Sequence, residues 1–143
     1  METTTYACKT TVNSSFEDAV QKVTEELKRE GFGVLTEIDV KETLKQKLDV
    51  DFRKYKILGA CNPPNAYKAL QAETDIGLML PCNVVVYESE GGGTVVAAVD
   101  PVASMRAVEN IGLEATALEV KKKLQRVIEA MERGSYSAPA SLK

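Results

Sequence analysis

Two cysteine-asparagine pairs are the residues of this chain best suited to chemistry. Each pair lies beside a proline, at a point where a helix pattern meets a strand pattern. A thiol can act as a nucleophile, a redox centre or a soft metal ligand, and an amide can donate and accept hydrogen bonds. The candidate ligand-binding residues are therefore Cys61, Asn62, Pro63, Pro81, Cys82 and Asn83.

Cys61 is the stronger thiol candidate. It directly precedes Asn62, the predicted N-cap of a helix that opens with Pro63 and Pro64. The positive end of a helix dipole and its free N–H groups can stabilise a thiolate or bind an anion. The alternative, which stays open, is a small buried residue that fills the edge of a sheet.

Cys82 follows Cys61 by one predicted helix and a short loop, so the chain can return to the same strand end. We expect the two thiols to share one pocket. Such a pair can cycle as a disulfide, carry a persulfide or supply half of a soft-metal site, and the sequence does not choose among these. Cys8, within the first predicted strand, is interpreted as packing.

The chain contains no histidine. This excludes Ser-His-Asp and Cys-His catalysis and every metal site that uses imidazole. Two sulfurs leave a tetrahedral zinc site incomplete, so we expect no metal and no cofactor. Whether the protein is an enzyme stays open, and the sequence favours a non-catalytic protein. Weaker polar candidates near the strand ends that frame this region are Tyr55, Tyr67, Tyr87, Lys56, Asp75 and Asp100.

Length and charge narrow the classes of partner. The 143 residues fit one domain, and 18 basic against 21 acidic residues give a net charge of −3. Interspersed charges of both signs disfavour nucleic-acid binding. The first residues do not resemble a signal peptide, and no apolar run is long enough for a membrane span. With three cysteines interpreted as reduced thiols, we expect a cytoplasmic protein that does not bind membranes.

Periodicity predicts an α+β domain. Ser14 to Glu17 has the form of a capping box, Asp39 and Asn62 are further N-cap candidates, and glycines at 91–93 predict a hairpin. The order β-α-β-α-β-α-β-β-α predicts a two-layer sandwich, with a mostly antiparallel sheet and helices on one face. Strands are predicted over 4–12, 32–38, 55–60, 84–88 and 94–99, and helices begin near 14, 39, 62 and 113.

Two features of the predicted sheet and the last helix concern assembly. Apolar residues at consecutive positions in 84–86 and 95–99 indicate that both sheet faces are covered, so a homodimer is expected, formed either through the second sheet face or by docking of the long C-terminal helix from a second copy. The last helix carries an apolar seam with alternating spacings of four and three, which we expect to pack on its own sheet because fewer than three heptads are present. We predict one domain over 1–133 and a flexible tail over 134–143.

The stretches 55–63 and 76–88, with 38–44 before them, resemble the family called domain of unknown function 302. The match covers nearly the whole chain. The resemblance implies a small α+β domain that pairs as a homodimer, and it implies no established activity. The positions that carry the motif are Gly59, Cys61, Asn62, Pro63, Gly77, Pro81 and Cys82.

Two functional hypotheses follow. In the first, the domain is a binding or carrier module, in which Cys61 and Cys82 line a pocket for a small ligand or a sulfur-transfer intermediate. Asn62 and Asn83 would supply hydrogen bonds there. In the second, the domain is a dimeric protein-interaction module without catalysis, and its cysteines are structural.

Overall fold

The computed structural model describes the backbone of residues 1–141 and side chains through residue 134. Six strands form one antiparallel sheet in the spatial order β1-β2-β6-β5-β4-β3. The strands are β1 (Glu2–Thr3), β2 (Ala7–Val12), β3 (Gly33–Asp39), β4 (Tyr55–Cys61), β5 (Cys82–Glu88) and β6 (Thr94–Val99). The helices are α1 (Phe16–Arg29), α2 (Val40–Leu48), α3 (Pro63–Ala72), α4 (Pro101–Met105) and α5 (Glu114–Ser141). The predicted α+β class and antiparallel sheet are confirmed.

The predicted order of elements is present with short additions. β1 and α4 were not predicted, and 3-10 turns at Thr74–Met79, Arg106–Val108 and Ile111–Leu113 connect the longer elements. The sequence does carry a start signal for α4. Asp100 caps this helix by accepting hydrogen bonds from the backbone N–H groups of Val102 and Ala103, and Pro101 occupies its first position.

Helix α1 is capped by Ser15, so the predicted capping box that starts at Ser14 is wrong by one residue. The Ser15 hydroxyl accepts a hydrogen bond from the backbone N–H of Asp18 at 3.2 Å. Ser14 is held elsewhere, because its carbonyl accepts a hydrogen bond from the Thr94 hydroxyl on β6. The predicted N-caps Asp39 and Asn62 are both confirmed.

The main core lies between one face of the sheet and the helices α1 and α5. Leu58, Val84, Val86 and Val96 on adjacent strands are fully buried there. The apolar seam of α5 is buried within this chain, as expected. Its members are Ala117, Val120, Leu124, Val127 and Met131, together with Leu113, which lies in the 3-10 turn directly before the helix and not in the helix as predicted.

The opposite face of the sheet, called the outer face here, is also apolar. Residues of the central strands alternate between the two faces, so the neighbours of the core residues point outwards. Ile57 pairs with Val85, which pairs with Ala97, and all three are half-buried. This row runs across the middle of the sheet on the side away from α1 and α5.

The backbone of α5 continues through residues 134–141, which belong to the predicted tail at 134–143. Side chains from 135 onwards, and residues 142–143 entirely, lie outside the described residues. The flexible tail and the domain boundary at 133 therefore stay predictions. Among the described residues, no helix combines the length and the apolar character needed to cross a bilayer.

Candidate functional site

A cavity of about 280 Å³ opens where β4 ends and β5 begins. The strands contribute Ala60, Cys61 and Cys82, and the turn before β5 contributes Leu80 and Pro81. The remaining wall comes mainly from α3, α4 and the first turns of α5, and it is almost entirely apolar. We call this the thiol-lined cavity.

Four of the six candidate residues line this cavity, namely Cys61, Asn62, Pro81 and Cys82. The other two do not. Asn83 is exposed, because it follows Cys82 on β5 and side chains alternate between faces along a strand. Pro63 is exposed at the first position of α3.

The two thiols of the cavity have different surroundings. Cys82 is buried, whereas Cys61 is half-buried. Burial, and in second place the nearby Cys61 thiol, raise the pKa of Cys82 to about 11. Cys82 is therefore a protonated thiol at neutral pH and a poor nucleophile.

The start of α3 does not offer the free N–H groups that we expected beside Cys61. Pro63 and Pro64 occupy the first two positions and have no N–H. The backbone N–H of Asn65 donates to the Asn62 side chain at 3.4 Å, and that of Ala66 donates to the Asn62 carbonyl at 2.8 Å. Every backbone N–H group of this first turn is thus accounted for, so free N–H groups do not contribute to the predicted stabilisation of a thiolate or binding of an anion, and the helix dipole is what remains of that prediction.

Asn62 joins two helix ends. Its side-chain oxygen caps α3, and its Nδ2 donates to the carbonyl of Glu30 at the end of α1 at 3.2 Å. Gly31, with φ of +87°, lets the chain pass close by, since a Cβ there would lie 3.0 Å from Nδ2 of Asn62. The buried Asn62 therefore has a structural role in joining α1 to α3, in addition to its place in the cavity wall.

Gly59 and Pro81 fit against each other beside the cavity. A Cβ at Gly59 would overlap Oγ1 of Thr36 and lie 2.7 Å from Cγ of Pro81. A rigid proline ring cannot withdraw as a flexible side chain can. Only glycine therefore fits at this position of β4, and this accounts for two of the motif residues.

A bulge in β3 forms the mouth of the cavity. The pairing register shifts between Val34 and Thr36, so Leu35 is an additional residue without an opposite partner on β4. Leu35 and Thr36 are exposed, whereas all other lining residues are buried or half-buried. We refer to these two residues as the cavity mouth.

Asn65 is a polar wall residue that sequence reasoning missed. Its side chain is only 2% exposed. Nδ2 donates to Glu119 of α5 at 2.8 Å, and Oδ1 accepts from Nζ of Lys123 at 3.1 Å. The hydrogen bond from Asn65, followed by that from Lys123, lowers the pKa of Glu119. This network fixes α3 against α5 along one side of the cavity.

Tyr55 and Tyr87, named among the weaker candidates, do not frame the cavity. They pair at the opposite end of β4 and β5, where their rings stack with centroids 5.2 Å apart. Asp100 is the N-cap of α4 and forms an ion pair with Lys121. Among the described residues, no group of three or more cysteine, aspartate or glutamate side chains is placed to hold a metal ion.

Comparison with known proteins identifies relatives without an assigned activity. The family model described as "Domain of unknown function DUF302" matches residues 8–131. The crystal structure of an uncharacterized conserved DUF302 protein from Bacillus stearothermophilus is similar, with a TM-score of 0.82 and 29% sequence identity. The alignment covers 87% of this chain and 97% of that one. A comparison with curated proteins gave no match.

Proposed function

Since the chain belongs to the domain of unknown function 302 family, whose name assigns no activity, we propose a function from the geometry of its cavity. The domain is a binding module that holds a small, mainly apolar molecule in the thiol-lined cavity. The observation that carries this proposal is an almost entirely apolar cavity of about 280 Å³ that opens where β4 ends and β5 begins. Protein interiors contain few voids larger than a water molecule.

The volume sets the size of the ligand. An engineered apolar cavity of about 150 Å³ admits benzene, and ligand pockets for drug-sized molecules begin near about 300 Å³. The thiol-lined cavity falls between these sizes. It suits a small ring or a short aliphatic chain, held mainly by the removal of apolar surface from water.

Non-covalent binding is better supported than sulfur transfer. A persulfide or disulfide intermediate forms through a thiolate, and the raised pKa of Cys82 keeps that thiol protonated at neutral pH. Sulfur transfer would therefore have to begin on Cys61. The first turn of α3 gives Cys61 no unsatisfied N–H group for this purpose.

A cavity-filling substitution tests the binding proposal. Ala66 lines the cavity, so Ala66→Leu should occupy part of its volume. The control is Ala115→Leu on α5, where the side chain is exposed and outside the cavity wall. In an NMR titration with 1-hexanol, we expect the wild type and Ala115→Leu to bind with equal affinity and Ala66→Leu to bind at least tenfold more weakly.

Thiol labelling is an independent test of the same site. Brief alkylation read by intact mass should modify Cys61 well before Cys82, and the rapid phase should be missing in Cys61→Ser. Saturating 1-hexanol should slow labelling of Cys61, because the ligand covers the wall that contains this thiol. A labelling rate that 1-hexanol leaves unchanged would place the bound alcohol elsewhere.

We also propose that the domain forms a homodimer through the outer face, the surface on which the interaction-module alternative depends. The half-buried row of Ile57, Val85 and Ala97 supports this, because an open apolar sheet face is stabilised when a second copy covers it. Light scattering at micromolar concentration should give a dimeric mass. Val85→Lys should give a monomer, whereas Ala115→Lys, at an exposed position of α5 away from the outer face, should not.

The cytoplasmic location remains part of the proposal. The three cysteines are free thiols, a state that a reducing compartment maintains. Fractionation of cells that express the full chain, followed by detection of the protein in the soluble cytoplasmic fraction, tests this. Recovery in the membrane or secreted fraction would contradict it.

A further inference from the structure

A second cavity, of about 490 Å³, lies beside the thiol-lined cavity. It opens between α4, the turns that follow α4, and the start of α5. The two cavities share three wall residues, Met105, Leu113 and Ala117. The same small group of side chains therefore separates them.

The helix geometry explains this arrangement. On α5, Val120 faces the thiol-lined cavity and Leu118 faces the second one, with Ala117 between them. On α4, Pro101 faces the first cavity and Val102 the second. Both cavities thus follow one strip of helix surface, on either side of a single row of shared side chains.

We propose that the two cavities form one cleft for an elongated, mainly apolar molecule, and that Met105 determines how far the chain of that molecule extends. This inference rests on the proposed binding function. Leu113 and Ala117 are 3% and 4% exposed and are fixed by packing. Met105 is half-buried, and an unbranched thioether side chain rotates readily, so Met105 is the shared residue able to move aside.

The charges of the second cavity indicate the polar end of the ligand. Its wall contains one cation, Arg106, and two carboxylates, Glu109 and Glu114. A negatively charged head group would meet more repulsion than attraction there. A neutral hydroxyl or amide head group fits better, with its aliphatic chain directed past Met105 into the thiol-lined cavity.

The experiment is a chain-length series of 1-hexanol, 1-octanol, 1-decanol and 1-dodecanol, titrated by calorimetry. In the wild type, affinity should rise about fourfold per methylene while the whole alcohol fits in the first cavity, and then rise less steeply once Met105 must move so that the head group reaches the second cavity. Met105→Ala should remove this break, the change in the slope of affinity against chain length. As a result, 1-dodecanol should bind this variant on the order of tenfold more tightly than it binds the wild type.

Met79→Ala is the matched control, because Met79 is 40% exposed and outside both cavity walls. Met105→Leu is the second variant; it keeps the volume and should retain the break. NMR gives a direct reading, since the methyl signals of Leu118 should shift with 1-dodecanol and not with 1-hexanol. Tighter binding of decanoate than of 1-decanol would overturn the assignment of a neutral head group.

The outcomes separate the two claims. If 1-hexanol binds and Ala66→Leu weakens it, while Met105→Ala has the same length profile as the wild type, the single-cleft inference is wrong and the binding function stands. If no alcohol binds the wild type, the proposed function fails and the inference fails with it. Thermal unfolding of each variant confirms that the compared proteins are folded.

Discussion

The two ends of the β4–β5 pair have the same backbone pairing and opposite side-chain content. At one end Ala60 pairs with Cys82, and at the other Tyr55 pairs with Tyr87. The small residues line a cavity, whereas the tyrosine rings stack on each other, with an angle of 7° between their planes. The cavity thus arises from small side chains on intact strands, and we expect the two ends to respond differently to substitution.

Gly59→Val should have the largest effect, at the cavity end. The added side chain would overlap Thr36 and the rigid ring of Pro81. We expect the free energy of unfolding to fall by about 3 kcal/mol, measured by urea denaturation. Gly33→Val on β3 is the matched control, because a Cβ there meets nothing within 4 Å. Equal losses for both variants would contradict the close fit of Gly59 and Pro81.

High pH should weaken the cavity end through Cys82. Its pKa of about 11 in the fold lies above the ordinary value of 9.0, so the unfolded chain loses this proton first. The resulting stability is complete below about pH 9 and is lost as pH rises through 11, where we expect a loss of about 2 kcal/mol. Cys82→Ala should lack this part of the decline. Parallel stability curves for the two proteins would show that the thiol is not protected.

The two asparagines of the Cys-Asn pairs should differ in their contribution to stability. Asn62→Ala removes the cap of α3 and the hydrogen bond to the Glu30 carbonyl, so a loss of about 1 kcal/mol is expected in chemical denaturation. Asn83→Ala, at an exposed position of β5, should change stability by less than about 0.5 kcal/mol. The reverse order would mean that the cap is not what makes Asn62 important.

The smallest effect is expected at the tyrosine end. Tyr87→Leu keeps apolar bulk and loses only the ring stacking with Tyr55, for a cost of about 0.5 to 1 kcal/mol in thermal unfolding. Tyr67→Leu on α3 serves as control, since Tyr67 is 65% exposed. A loss at Tyr87 as large as that of Gly59→Val would remove the contrast between the two ends.

The sequence predicted most of the elements because each one has a local signal. The hairpin between β5 and β6 followed from its glycines, and the caps Asp39 and Asn62 followed from residue type. Ser15 was missed because two adjacent serines offer the same local cap. Only the contact between the Ser14 carbonyl and Thr94, distant in the chain, decides between them.

The candidate site was predicted in position but not in its electrostatics. Pro63 and Pro64 were used as the sign of a helix start, and the same prolines remove the N–H groups that an anion would need. The sequence could not predict that Met105 lines the cavity, because the five-residue helix that contains it is too short to show a periodic pattern. The bulge at Leu35 has no signal of its own, since it arises only when β3 and β4 pair.

The position of β2 in the sheet has a consequence for how the nascent chain folds. Strands β3 to β6 are neighbours in both space and sequence. In contrast, β2 pairs along its whole length with β6, which is distant in sequence, and Ala7 lies opposite Val99. During synthesis β2 therefore cannot complete its pairing with β6 until residue 99 has left the ribosome. Closing this long loop is entropically costly, so we expect the joining of β2 to β6 to be the late, rate-limiting step of folding.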